Sequence, residues 1–240
     1  SGVRVKRPNG LFEFIGCESL ILACNGYGAN KELVKKYIPE MSEALYFGHA
    51  GNQGHAVLWG EQINASAMHM SGYQGHGSVA TPHGVLITWA LMMEGGIQVN
   101  EQGLRFSNEN QGYSEQSVHV LAQSNKVAWV IYDEKLHLLG KEFPDYLKAI
   151  NSGSIKSAEN AASLIELIGV DRKGFEETLL LIEDFSLSKK VDPFGREFKR
   201  NLAPDEKMYA IKVTGALFHT QGGLLVNDKA QVLKSDKTPF

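Results

Sequence analysis

The segment from Gly103 to Gln116 carries side chains suited to proton chemistry. Within its fourteen residues, an arginine–phenylalanine pair (Arg105-Phe106) and an asparagine–glutamate pair (Asn108-Glu109) are followed by a lone tyrosine, Tyr113. A tyrosine hydroxyl can give a proton to carbon or take one from it, whereas an arginine at this point would suit a dicarboxylate substrate. The tyrosine therefore favours proton transfer on a carbon acid.

A tyrosine that acts as a base needs help from its surroundings. A free phenol has a pKa of about 10, so a base that works near neutral pH needs its phenolate stabilised by roughly 4 kcal/mol. A nearby cation or a hydrogen-bonding network can supply this. The competing interpretation of Tyr113 is a packed tyrosine whose hydroxyl is satisfied by a neighbour.

Histidines recur at seven-residue intervals at His69, His76 and His83. No carboxylate or thiolate joins them at the spacing of metal ligands, so we predict no metal site. Taken alone, such a histidine is usually a surface or loop residue.

The composition is that of an ordinary globular protein, with 240 residues, 43% hydrophobic residues and a formal net charge of −3. The 24 basic residues are scattered among 27 acids, which argues against a nucleic-acid partner. There is no apolar run of about eighteen residues and no signal-peptide pattern, so we expect no membrane span and a cytoplasmic location. Cys17 and Cys24 lack a Cys-x-x-Cys spacing and are expected to be buried, reduced thiols.

The first half of the chain reads as strands followed by helices. Alternating runs at 2–6 and 11–15 flank a Pro-Asn-Gly turn and predict a β-hairpin. The apolar run Ser19–Cys24 predicts a buried strand, and Asn30 a helix start. Further elements predicted here are a helix over 54–64, short strands at 67–71, 85–90 and 96–99, a helix over 113–123 and a strand over 127–132.

The second half continues with two helices, predicted over Ser157–Ile168 and Arg172–Asp184. Strands are predicted to return at 209–213 and 224–232. Strand material at both ends with a mixed insert between them indicates two domains.

Several ordered motifs resemble the FAD-dependent flavoproteins of the fumarate reductase and succinate dehydrogenase superfamily. At Tyr113 the likeness is closer to the 3-ketosteroid dehydrogenase-like members. The motifs are Ala23-Cys24-Asn25-Gly26-Tyr27, Asn52-Gln53-Gly54, Arg105-Phe106 with Asn108-Glu109, Asp192-Pro193-Phe194-Gly195-Arg196, and Thr220-Gln221-Gly222-Gly223-Leu224. The resemblance covers nearly the whole chain and implies an α+β fold. It implies a capping domain at 71–217, inserted between a partial FAD-binding domain at 1–70 and the return segment of that Rossmann-like domain at 218–240.

The resemblance also implies roles for individual residues. Tyr113 and His76 would be catalytic, with the tyrosine handling a proton and His76 or His219 orienting a carbonyl. The substrate-binding residues implied are Gln74, Phe218, His219 and Thr220. The cofactor-binding residues implied are Ala23, Cys24, Asn25, Gly26, Gly222 and Gly223. Glycines after strands let backbone N–H groups approach a dinucleotide, although they could equally be ordinary turn residues.

The sequence departs from the fumarate reductase pattern at three polar positions. A carboxylate-binding histidine is replaced by Phe218, and the proton-relay glutamate and arginine by Trp89 and Met92. Because each charged hydrogen bond is typically worth about 1.5–3 kcal/mol, we expect a larger and less charged substrate. The expected reaction is oxidation or reduction of a carbon–carbon bond next to a carbonyl. A fumarate reductase-type site with other cations stays open, as does a non-catalytic ligand-binding module derived from the cap.

The Gly-x-Gly-x-x-Gly fingerprint that seats the FAD pyrophosphate is absent from the sequence. In the family it precedes the motif at 23–27, so we expect this chain to be the middle and later portion of a longer flavoprotein. FAD would be the cofactor of that protein, and the chain alone is expected to bind it weakly or not at all and to be inactive. The expected partners are a small-molecule substrate and the missing flavin-binding segments, with no nucleic acid and no membrane.

Overall fold

The computed structural model describes residues 2–240. Their helices are α1 Lys31–Tyr37, α2 His55–Gln62, α3 Ala90–Met93, α4 Tyr113–Leu121, α5 Glu134–Gly140, α6 Pro144–Asn151, α7 Ala161–Ile168 and α8 Arg172–Ser186. Their strands are β1 Gly2–Lys6, β2 Phe12–Gly16, β3 Leu45–Tyr46, β4 Ala67–Met68, β5 Tyr73–Ala80, β6 Val85–Leu86, β7 Ile97–Val99, β8 Val127–Asp133, β9 Ile155–Ala158, β10 Met208–Thr220 and β11 Gly223–Leu224. No helix within residues 2–240 is both long and apolar enough to cross a membrane.

The long strand β10 organises the main sheet, whose order is β6-β5-β10-β8-β7. Its first half pairs antiparallel with β8 and β9, and its second half pairs antiparallel with β5 and parallel with β3. Most of its residues are buried, as expected for a strand with neighbours on both edges. The strand crosses the predicted domain boundary at residue 217, and the division into 1–70, 71–217 and 218–240 stays a prediction.

Two hydrophobic clusters meet at this strand. The larger one packs the sheet against the helices of the insert and includes Val213 of β10, Phe175 and Ile182. The smaller one surrounds Tyr27 and includes Leu217, from the same strand. Strand β10 therefore contributes buried side chains to both clusters and connects the insert with the N-terminal segment.

Several predicted elements are confirmed. The hairpin forms between β1 and β2, with Gly2 opposite Gly16 and Lys6 opposite Phe12. Asn30 caps α1, where its Oδ1 accepts hydrogen bonds from the backbone N–H groups of Glu32 and Leu33. Helices α2, α4 and α8 and strand β8 also lie where they were predicted.

The buried strand predicted for Ser19–Cys24 is wrong. The segment has no strand pairing, and the side chains of Leu20 and Ile21 are 56% and 88% exposed. An apolar run becomes a strand only when another strand pairs with it, and no strand of residues 2–240 does so here. Cys17 and Cys24 are both unpaired thiols of intermediate exposure, so the prediction that they are buried is also wrong.

Other differences follow from local pairing. Ser157 belongs to β9, which adds to β10, and α7 begins only after the cap at Asn160. The strand predicted over 224–232 shortens to β11. The chain turns at Asn227, whose Oδ1 accepts hydrogen bonds from the backbone N–H groups of Lys229 and Gln231. The sequence pattern also missed β5, α5 and α6.

A buried ionic cluster anchors the loop that precedes α4. Arg105 lies 2.7 Å from a carboxylate oxygen of Glu109 and 2.7 Å from one of Asp192, and Arg196 lies 3.0 Å from Glu109. The ring of Phe198 lies 4.7 Å and 4.6 Å from the two guanidinium carbons. Burial alone would raise the pKa of Glu109, but hydrogen bonds and charge from Arg105 outweigh it and hold that pKa below its usual value.

Removing one member of this balanced cluster should be costly. Glu109→Gln keeps the shape but leaves two buried guanidiniums facing one carboxylate, so we expect a loss of about 3–5 kcal/mol in the free energy of unfolding. Urea denaturation of the chain measures it. The matched control is Glu166→Gln, which removes an exposed pair with Arg172 and should leave the midpoint unchanged. Equal midpoints for both variants would contradict the structural role of the cluster.

Candidate functional site

An aromatic stack forms the centre of the candidate site. The His76 ring, on β5, lies between Tyr113, the first residue of α4, and Phe218, on β10. The ring centroids are 5.2 Å and 5.4 Å apart, with interplanar angles of 18° and 12°. The structure therefore brings together three of the predicted site residues, contributed by three elements.

His76 is held as a neutral imidazole. Its side chain is only 5% exposed, and this burial lowers its pKa to about 4. Its Nδ1 accepts a hydrogen bond of 3.1 Å from the backbone N–H of Ser78, so Nε2 carries the proton of the neutral ring. At neutral pH this histidine is a hydrogen-bond donor without charge.

Gln74 joins the other two polar side chains of the site. Its Nε2 donates to the hydroxyl oxygen of Tyr113 at 3.2 Å, and its Oε1 lies 2.7 Å from Nε2 of His219. Gln74 and His219 are direct partners in the β5–β10 ladder, which explains their closeness. The Tyr113 side chain is 39% exposed, so its hydroxyl lies at an accessible surface.

Two glycines of β5 allow α4 to lie directly on the strand. A Cβ atom at Gly75 would collide with the hydroxyl of Ser117, and one at Gly77 would lie 2.8 Å from the backbone of Gln116. The backbone N–H of Gly75 also donates to Ser114 Oγ at 2.9 Å. This close approach places Tyr113 beside His76. The pattern Gly75-His76-Gly77 is the sequence signal that could have indicated this contact.

The residues predicted to bind cofactor form two neighbouring segments. Gly26 lies against Thr220, whose Oγ1 accepts the backbone N–H of Tyr27 at 3.1 Å, and Gly222 lies against the backbone of His69. Side chains at these two glycines would clash, so packing alone explains them.

The backbone around these contacts is open enough to hold a cofactor. Ala23 and Asn25 are exposed and Cys24 is partly exposed, while nothing lies within 4 Å of a Cβ built at Gly223. The segments therefore fit a dinucleotide that binds through backbone N–H groups. Thr220 lies with these segments and its oxygen already has a partner, so its predicted contact with substrate stays a prediction.

The positions of the missing proton relay are apolar in the structure as well. Met92 is fully buried, and Trp89 packs its ring edge-on to His76 at 5.5 Å. The arginines Arg105 and Arg196 are paired in the ionic cluster described above. Within residues 2–240, no group of His, Cys, Asp or Glu side chains could hold a metal ion.

Comparison with known proteins gives relatives along the full length of the chain. The NADH:fumarate oxidoreductase of Klebsiella pneumoniae (strain 342) is 28% identical over 241 residues, which cover 100% of this chain and 26% of that protein. A flavocytochrome c3 fumarate reductase in its open conformation is 27% identical with a TM-score of 0.80, covering 99% of this chain and 42% of that one.

A second solved structure shares the fold. It is the 3-ketosteroid delta1-dehydrogenase from Sterolibacterium denitrificans, at 24% identity and a TM-score of 0.75, covering 99% of this chain and 48% of that one. This chain therefore spans less than half the length of each of these proteins.

The predicted resemblance and the predicted α+β capping-domain fold are confirmed by these likenesses. A family model described as an FAD binding domain matches residues 1–240. Since the match extends over the whole sequence, the chain belongs to the FAD binding domain family.

Proposed function

We propose that the complete protein is an FAD-dependent oxidoreductase that oxidises or reduces a carbon–carbon bond next to a carbonyl group. The observation that carries this proposal is the phenol of Tyr113. Its oxygen accepts a hydrogen bond from Gln74, and its ring stacks on the neutral His76. A phenol held in this way is suited to proton transfer at carbon.

FAD, when bound, supplies the acceptor or donor of hydride. The backbone of Ala23 to Gly26 and of Gly222 to Gly223 would hold it. Tyr113 gives a proton to the substrate carbon in reduction and takes one in oxidation. The Nε2–H of His76 donates to the carbonyl oxygen, which polarises the neighbouring carbon–carbon bond. Phe218 provides an apolar wall.

A fumarate reductase-type activity is the second candidate, and the likeness to an NADH:fumarate oxidoreductase and to a fumarate reductase favours it. Two carboxylates would need cationic partners, however. The residues at the carboxylate-binding and relay positions, Phe218, Trp89 and Met92, cannot supply charge. The side chains of the site therefore support a neutral carbonyl compound better than a dicarboxylate.

Replacing the phenol oxygen tests the first role. In the complete, FAD-loaded protein, Tyr113→Phe should lower kcat by about 10²–10⁴-fold, because general acid–base catalysis contributes on that order. The matched control is Tyr37→Phe, which removes a surface hydroxyl near Glu61 and should leave turnover unchanged. The flavin absorbance of both variants verifies cofactor loading. Unchanged turnover in Tyr113→Phe would remove this residue from the mechanism.

Substrate choice separates the two candidate activities. We expect the complete protein to reduce a cyclic enone with a kcat/KM at least about tenfold higher than that for fumarate, because charged contacts for carboxylates are missing. Steady-state assays with one artificial electron donor compare the two substrates directly. Preference for fumarate would support the second candidate. If Tyr113→Phe turned over both substrates at the unchanged rate, the proton donor would be a different residue.

The neutral state of His76 predicts a pH effect on stability. The folded-state pKa of about 4 lies below the ordinary value of 6.5, so the unfolded chain binds this proton first. The free energy of unfolding is therefore highest, as far as His76 is concerned, above about pH 6.5. It falls by about 3 kcal/mol in total as the pH is lowered towards 4. Denaturant unfolding between these pH values measures it. In His76→Phe, which keeps a ring in the stack, the free energy of unfolding should fall by about 3 kcal/mol less over this pH range. The same pH dependence in the variant and the parent chain would contradict burial of a neutral histidine.

A further inference from the structure

Gln74, which the resemblance implies as a substrate-binding residue, lies between Tyr113 and His219 in the structure. Its side chain reaches Tyr113 with one end of the amide and His219 with the other, at 3.2 Å and 2.7 Å. The strands beneath it are fixed, because Gln74 and His219 face each other across the β5–β10 ladder. A glutamine loses considerable rotamer freedom when both ends are held, so the arrangement forms only if both bonds stabilise it.

The two ends of an amide have opposite hydrogen-bonding properties. The oxygen only accepts and the nitrogen only donates. With Oε1 on His219, the histidine Nε2 must be the donor, and Nε2 of Gln74 must donate to Tyr113. If the amide were reversed, the phenol would instead give its single proton to the glutamine oxygen, and that proton would be unavailable for a substrate.

We propose that Gln74 is a positioning residue that His219 orients, and that it holds the Tyr113 oxygen as a hydrogen-bond acceptor so that the phenolic proton stays free. The same bond stabilises the phenolate after the proton has left. The role of this bond in catalysis rests on the proposed function. The hydrogen-bonding arrangement itself involves only residues of this chain.

Few other groups facing Tyr113 could donate a hydrogen bond to its oxygen. His76 stacks on its ring at 5.2 Å and carries no charge at neutral pH, since burial lowers its pKa to about 4. On α4, the carboxylate of Glu115 lies beside Gly112. Its negative charge contributes to the raised pKa of Tyr73 on β5, after burial and the charge of Glu40. The N–H of Gln74 is the donor that bonds to the Tyr113 oxygen.

The test measures the ionisation of Tyr113 in the chain itself, with neither FAD nor substrate present. Tyrosines labelled with ¹³C at Cζ are followed by NMR as pH is raised, and the signal of Tyr113 is assigned from its absence in Tyr113→Phe. Gln74→Met keeps the length of the side chain but removes both hydrogen bonds. Gln74→Glu puts an acceptor and a negative charge in place of the donor.

We expect the ionisation of Tyr113 to move to higher pH in both variants, by about one pH unit or more in Gln74→Glu and by less in Gln74→Met. His219→Leu, which frees the other end of the amide, should shift it in the same direction. The control is Gln123→Met, a glutamine bonded to Asn100 and to the His119 carbonyl. It should leave the Tyr113 signal unchanged. The tyrosines other than Tyr113 and Tyr73 should keep their signals in every variant, whereas Tyr73 lies next to residue 74 and responds to a carboxylate charge.

An unshifted Tyr113 signal in Gln74→Met, which removes the N–H donor without adding charge, would overturn the inference. If Gln74→Met failed to fold, which the other tyrosine signals would reveal, His219→Leu would test the same pair of bonds from the opposite end. Kinetics of the complete protein add a second criterion. A positioning residue lowers kcat with little change in KM when it becomes Met, whereas a change confined to KM would make Gln74 a substrate-binding residue and contradict the proposal.

The outcome for Gln74 is independent of the outcome for the proposed function. A shift of the Tyr113 signal together with full turnover in Tyr113→Phe would leave the hydrogen-bonded arrangement intact and remove the reaction assigned to it. Lost turnover in Tyr113→Phe with no shift in the Gln74 variants would keep the reaction and reject Gln74 as the positioning residue.

Discussion

The close packing of helix α4 on strand β5 is the constraint on which the candidate site depends. Gly75 and Gly77 bring the helix backbone to within contact distance of the strand, where any side chain would push it away. The strand fixes His76 and Gln74, and the helix begins with Tyr113, so their separation is set by this single contact. Side chains on packed elements of this kind hold their geometry better than side chains on loops.

The loop that leads into α4 is fixed from the opposite side by the buried cluster of Arg105, Glu109 and Asp192. Arg105 and Glu109 belong to the segment that first suggested chemistry, yet with Asp192 and Arg196 their charges neutralise each other inside the protein. Breaking a buried pair is costly, so the loop has little freedom to move without losing the whole cluster. The chemistry is thereby left to the polar groups of the stack, Tyr113 and His76.

The sequence predicted those elements whose signals are local. Asn30 capped the expected helix, and Val127–Asp133 formed the expected strand, because capping and β-branched side chains act within a few residues. It missed β5, whose glycines lower strand propensity and are required only by contact with a helix far along the chain. It was wrong for Ser19–Cys24, since strand formation depends on a pairing partner that an apolar run cannot specify. The residues of the site were named from motifs, but the Gln74 bridge depends on the β5–β10 register, which the sequence pattern does not encode.

The most direct test of proton transfer by Tyr113 is the crystal structure of the complete protein with FAD and a saturated cyclic ketone bound. We expect the Tyr113 hydroxyl oxygen within about 3.5 Å of the substrate carbon that exchanges its proton, with His76 Nε2 at the carbonyl oxygen. A ketone bound with its reacting carbon remote from Tyr113, against some other proton donor, would contradict it.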